Sequence, residues 1–197
     1  MIQTIIIDLS EVIIAGLIGI EKELASLVNL SEEDFLEGLW TDSFWELMKG
    51  KISEDDYLSD VFEKNNWKAD KRIFKETIRK NFHKEVEGMV GLIEKLSKKY
   101  KLILLSDHAK EWIDYIDKIH PFLNLFDKKY FSFQSGEIKR EKRVFELLLK
   151  ENNLLPVECL FIDDSYRNVK AAEGFGIYVL FFKGIEQLKV DFKLLKI

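Results

Sequence analysis

The stretch "ECLFIDDSYRNVKAAEGFG", residues 158–176, decides how the rest of the chain is read. A short apolar run reaches two adjacent acids, Asp163 and Asp164, and passes at once into a helical pattern closed by Gly174 or Gly176. An apolar strand that ends in carboxylates and feeds a helix is a unit of a parallel α/β sheet. The same device recurs upstream. "KLILLSD" (101–107) ends in Ser106 and Asp107, and in "IIIDLSEVII" (5–14) three isoleucines lead into Asp8, followed by Leu9, Ser10 and Glu11. "KYFSF" (129–133) and "IYVLFF" (177–182) read as two further strands, with amphipathic helices between them.

Strands alternating with helices predict a parallel sheet with right-handed crossovers and helices on both faces. Residues 15–87 break the alternation. They hold helix starts at Ser31 and Ser53, each followed by acids in the first turn, and no strand of any length. The expected organisation is an α/β core from residues 1–14 and 88–197, with an inserted all-helical cap over 15–87.

The 197 residues suit one domain or one domain carrying an insertion, and 47% hydrophobic with 33% charged residues is ordinary for a globular protein. Thirty basic against thirty-five acidic side chains leave a formal charge of −5, which does not suggest a surface for nucleic acid or anionic membrane. Cys159 is the only cysteine, and His83, His108 and His120 lack metal-ligand spacing. The apolar start is interrupted by Asp8 and Glu11 and is short for a bilayer span, so a cytoplasmic protein without membrane or nucleic-acid partners is expected.

In an open parallel sheet the carboxyl ends of the strands face one edge, and ligands bind there. Asp8, Ser106 with Asp107, and Asp163 with Asp164 are therefore expected to converge, with Lys139 on the same side. Each alone reads as a cap or turn residue; the set in this order carries the signal. Clustered carboxylates call for a hard cation such as Mg²⁺, and a lysine and a hydroxyl facing it suit a phosphoryl group. A carboxylate nucleophile beside them describes phosphoryl transfer through an aspartyl phosphate.

The pattern resembles the haloacid dehalogenase (HAD) superfamily, in particular its phosphatase-like members with a helical cap inserted after the first motif. "IIIDLSEVII", "LILLSD", "GEIKREKRVFELLLKE" and "CLFIDDSYRNVKAAEGFG" look like its four motifs in order. The resemblance implies a Rossmann-like core, Mg²⁺, and hydrolysis of a small phosphorylated metabolite. Asp8 would be the nucleophile and a metal ligand, Ser106 the phosphate-binding hydroxyl and Lys139 the phosphate-facing cation, with Asp107 beside them. Asp164 would bind the metal directly, Asp163 would lie at or near it, the backbone carbonyl of Ser10 would complete it, and Asn168 would support the acids. Phe145 takes the usual aromatic position of the third motif.

Three positions depart from the family pattern. The acid that normally follows the nucleophile by two residues is replaced by Ser10, as in a subgroup whose first motif reads Asp-Leu-Gly-Gly-Val or Asp-Leu-Gly-Asn-Val. That acid protonates the leaving oxygen, so leaving groups that need no proton are favoured here. Glu11 stands where Gly is frequent; it could replace the missing acid, but a residue one place along usually points elsewhere, and a solvated or capping acid is the expected reading. Arg140 replaces the proline that commonly follows the third-motif lysine. The alternative function is a catalytically weakened HAD-like protein that binds a phosphorylated ligand or a protein partner. A response-regulator receiver is disfavoured because its acid pair precedes the phosphorylated Asp, and a metal-free dehalogenase because it needs no third acid cluster. Of the cap aromatics Trp40, Phe44, Trp45, Tyr57, Phe62 and Trp67, most are expected in the cap core and one or two at the substrate pocket.

Overall fold

The computed structural model describes residues 1–197. Five parallel strands make one sheet in the order β3-β2-β1-β4-β5: β1 Thr4–Ile7, β2 Lys101–Ser106, β3 Lys128–Phe131, β4 Cys159–Asp163 and β5 Tyr178–Phe181. The β-branched run of β1 is buried on both faces because it lies at the centre, with Ile7 level with Leu104 on one side and Ile162 on the other. The edge strands are more exposed, and Lys128 and Lys129 on β3 guard that edge against edge-to-edge pairing.

Period-two alternation divides the core. Ile5 and Ile7 pack into a large apolar cluster on one face, and Ile6 joins Ile103, Phe145, Phe161 and Ala172 on the other. Phe145 and Phe161 meet edge to face with centroids 5.3 Å apart.

Between β1 and the helix α6 (Met89–Leu96) the chain forms five helices: α1 Glu21–Leu27, α2 Glu32–Leu39, α3 Asp42–Met48, α4 Glu54–Lys64 and α5 Lys71–Asn81. Ser31 caps α2 through Asp34 N, and Ser53 with Asp56 makes a capping box on α4, as the acid-rich starts predict. Tyr57, Phe62 and Trp67 are buried among these helices. The Tyr57 hydroxyl donates to the Leu39 carbonyl, and Phe35 stacks on Trp67 at 5.2 Å. The chain leaves and re-enters the sheet side by side: Ala15 N donates to Lys84 O and Val86 N to Ile13 O, both at 2.8 Å.

The remaining helices are α7 Lys110–Ile119, α8 Ser132–Ser135, α9 Arg143–Glu151, α10 Tyr166–Glu173 and α11 Ile185–Leu195. The strand expected over 129–133 ends early, and Ser132 begins α8. α10 ends at Gly174, and Gly176 takes the left-handed φ of 79° that turns the chain into β5. α11 has no counterpart among the elements expected from the sequence, and its Leu188 and Phe192 are buried. No helix is long and apolar enough to cross a membrane.

Candidate active site

Strand order reverses between β1 and β4, because the chain runs outward through β2 and β3 before returning to β1's other side. Such a switch point opens a crevice at the carboxyl edge of the sheet. Asp8 follows β1 there, Ser106 ends β2, and Asp163 ends β4. Lys139, in a short 3₁₀ turn before α9, reaches in from the same side. Its Nζ lies 2.7 Å from Asp8 Oδ2 and 2.7 Å from Asp163 Oδ2.

Lys139 is only 2% exposed, so its charge is tolerable only because it is paired. Burial alone disfavours the ammonium, but Asp163, Asp8 and Asp107 around it hold its pKa above the ordinary lysine value. Burial pushes the Asp8 carboxyl well above the usual carboxylate range; Lys139 opposes this, and Asp163 and Asp164 add to it. The other Asp8 oxygen accepts from Leu9 N at 2.7 Å.

Asp163 is fully buried. Besides Lys139 it accepts from Ser165 N at 2.7 Å and Asn168 Nδ2 at 3.1 Å, so its carboxylate orients the lysine and ties β4 to α10. Asp164 is half-buried, and Lys139 leaves it without a basic partner. Burial and then Asp163 raise its pKa. Carboxylate oxygens of Asp8, Asp163 and Asp164 lie within 4.8 Å of one another. Three acids facing one ammonium, with one carboxylate unpaired, form a hard-oxygen set with negative charge to spare, which fits a divalent cation.

Ser106 Oγ is buried without a hydrogen-bond partner, the state of a hydroxyl that awaits one. Asp107 accepts from Lys139 N at 3.1 Å rather than from its ammonium, which fixes the start of that turn. Burial raises Asp107 to about 6, with Lys139 opposing.

The first-motif departures now have structural reasons. Glu11 has φ 61°, a left-handed backbone where glycine is favoured. Its Oε1 offsets that cost by accepting from Gly16 N at 2.8 Å and Ile18 N at 3.1 Å, so Glu11 caps the loop. Ser10 Oγ meets His108 Nε2 at 2.9 Å. Nothing in the sequence pattern singles out His108, since its partner lies 98 positions away. Burial, Lys139 and Arg79 push its pKa down to about 3, so the ring is neutral.

That shift carries a pH dependence. His108 binds its proton less readily folded than unfolded, where the pKa is about 6.5. Its contribution is present above pH 6.5 and is lost as pH falls toward 3. Substitution His108→Gln removes the titration. The stability advantage of the wild type over this variant is expected to shrink by a few kcal/mol between pH 7 and pH 4, read by urea unfolding at each pH. A gap independent of pH would mean that the ring does not titrate as its burial requires.

A cavity of about 220 Å³ opens above these groups. Asp8, Ser10, Glu11, Asp107, His108, Lys139 and Asn168 line its base; Gly16, Leu17, Ile18, Trp40, Phe44, Trp45, Met48, Phe82 and Trp112 line the remainder. Three of the six singled-out aromatics, Trp40, Phe44 and Trp45, thus reach the pocket, one more than the sequence reading allows.

A parallel sheet with carboxylates and a lysine at its switch point and helices inserted after the first strand defines a class. The chain belongs to the haloacid dehalogenase-like hydrolase family, whose pattern matches residues 5–182. It is 25% identical over 186 residues to D-ribitol-5-phosphate phosphatase of Bacteroides thetaiotaomicron, covering 89% of each chain. A HAD family enzyme of the same organism, solved in complex with magnesium and inorganic phosphate, superposes with TM-score 0.75 at 22% identity over 93% of this chain and 95% of that one. A HAD-like family hydrolase from Porphyromonas gingivalis gives TM-score 0.76 at 22% identity, covering 100% and 99%.

Proposed function

We propose that this hydrolase is a Mg²⁺-dependent phosphatase that cleaves a small phosphomonoester through an aspartyl phosphate on Asp8. The observation that carries the reading is Lys139 Nζ, held 2.7 Å from both Asp8 Oδ2 and Asp163 Oδ2 beside an unpaired Asp164. Resemblance to a sugar-alcohol phosphate phosphatase and to a structure holding magnesium and phosphate supports it. The helices over 15–87 act as the cap that covers the substrate.

An Asp8 oxygen attacks phosphorus, and the bond from phosphorus to the leaving oxygen breaks. Lys139 offsets the charge on the phosphoryl oxygens, and the Ser106 hydroxyl, otherwise without a partner, donates to one of them. Water then attacks phosphorus, releasing phosphate and restoring Asp8. Asp8, Asp164 and the Ser10 carbonyl would hold the metal, with Asp163 bordering it, and a bound divalent ion supplies Lewis-acid stabilisation of the phosphoryl charge. Asp163 and Asn168 keep Lys139 in place.

The test is phosphate release from an aryl phosphate, with Mg²⁺ and in excess chelator. Activity is expected only with the metal, and Asp164→Ala is expected to raise the Mg²⁺ concentration needed by about ten-fold or more. Full activity in chelator would overturn the reading. Phosphate binding without turnover would favour the weakened, ligand-binding alternative, to which the Ser10 hydroxyl on a neutral imidazole is the motivation.

A further inference from the structure

The cavity is divided by polarity. Its charged side chains, with Ser10, His108 and Asn168, come from the sheet's carboxyl edge, the turn holding Lys139 and the start of α10. Every residue contributed by the segment 15–87 is apolar or glycine. Some of the backbone groups nearby are already engaged: Gly16 N with Glu11, Gly16 O with Asn81 Nδ2, and Met48 O with Ser132 Oγ. The Trp112 indole N–H donates to Glu54 Oε1 at 2.6 Å.

We propose that the substrate of this site is a phosphomonoester whose leaving group carries a single aromatic ring, held between Trp40, Phe44, Trp45, Phe82 and Trp112. The proposal deepens the phosphatase reading above and rests on it. A polyol chain would bring several hydroxyls against walls whose only uncommitted side-chain donors are the Trp40 and Trp45 indole N–H groups, and each hydroxyl left stranded weakens binding about ten-fold or more. A ring loses nothing there and gains edge-to-face contacts. The volume agrees, since an apolar cavity of about 150 Å³ already accepts benzene and this one is about 220 Å³.

The walls are built to keep their shape. The Arg140 guanidinium lies 3.7 Å over the Trp45 ring, which gives the departure from proline at that position a use. Phe44 meets Trp40 and Trp45 edge-on, with centroids 4.5 and 5.2 Å away. Glu54, which anchors Trp112, is 2% exposed and is itself gripped by Arg79 through two bonds of 2.5 Å. Pre-set walls of this kind lower the cost of ordering on binding.

The loss of the family's acid points the same way through different chemistry. Ser10 offers no carboxylic proton, and Glu11 Oε1 is committed to two backbone amides. A phenolate leaves without protonation, whereas an alkoxide does not. Ring fit and leaving-group ability are separable, because benzyl phosphate has the ring but an alkoxide leaving group.

The experiment compares kcat/KM for phenyl phosphate, benzyl phosphate, D-ribitol 5-phosphate and acetyl phosphate with Mg²⁺, alongside the affinities of benzylphosphonate and methylphosphonate by calorimetry. Benzyl phosphate is expected to exceed D-ribitol 5-phosphate by about ten-fold or more, with phenyl phosphate higher still. Trp45→Ala, and Arg140→Ala as a second variant with less risk to folding, should lower the benzyl-to-ribitol ratio, by about ten-fold for Trp45→Ala and mainly through KM. D-ribitol 5-phosphate matching benzyl phosphate, or a ratio unmoved in both variants, overturns the proposal while turnover itself upholds the phosphatase reading. If no substrate is turned over, acetyl phosphate included, the phosphatase reading fails and the phosphonates decide. Tighter benzylphosphonate binding then supports the ring pocket, and equal affinities overturn it.

Discussion

Replacing Asp8 by Asn is expected to lower phosphate release by roughly 10⁴-fold or more, the scale on which removal of a nucleophile acts. The amide keeps the shape and the contact with Leu9 N but cannot attack phosphorus. The fold should survive. Burial already works against a charge at Asp8, and Asp163 remains to pair Lys139. Thermal unfolding close to wild type, together with lost turnover, would separate chemistry from stability. A variant that retained the wild-type rate would show that Asp8 does not form the intermediate.

Lys139→Met is expected to damage both activity and stability. The methionine fills much of the volume of the lysine stem but leaves Asp8 and Asp163 buried with no cation between them. Breaking a buried pair from one side costs about 3–5 kcal/mol, and loss of a phosphate-facing charge costs roughly 10²–10³ in rate. The stability loss should depend on pH. Without the ammonium that opposes it, the Asp8 pKa rises further above its unfolded value. A carboxyl raised in the native state contributes stability at low pH that is lost as pH rises through its folded pKa, so the variant should be least impaired in acid. Added Mg²⁺ should restore part of the stability, because an ion that binds the folded acids shifts the equilibrium toward them. Urea unfolding at pH 5 and pH 8, with and without Mg²⁺, reads all three effects. A loss independent of pH and metal would mean that Lys139 acts through packing alone.

The local physics of the strands and helix starts was legible in the amino-acid order. β1, β2 and β4 are apolar on both faces because they occupy the sheet's interior, and that requirement is written residue by residue. Ser31 and Ser53 announce helix starts because capping is a matter of neighbours three positions apart. Asp8, Lys139 and Asp163 could be placed at one edge from topology alone, since parallel strands must send their carboxyl ends the same way.

Tertiary structure decided what depends on distant partners. Ser10 faces His108, Trp45 lies under Arg140, and Trp112 is anchored by Glu54 across 58 positions. Asp163 was legible as an acid near a metal, but only its saturation by Lys139, Ser165 and Asn168 marks it as the residue that orients the lysine. Trp40, Phe44 and Trp45 share helical spacing and aromatic character with Tyr57, Phe62 and Trp67. Spacing tells that a residue faces an apolar surface but not whether that surface is a core or a cavity, because both bury the same groups and differ only in what the far side leaves open.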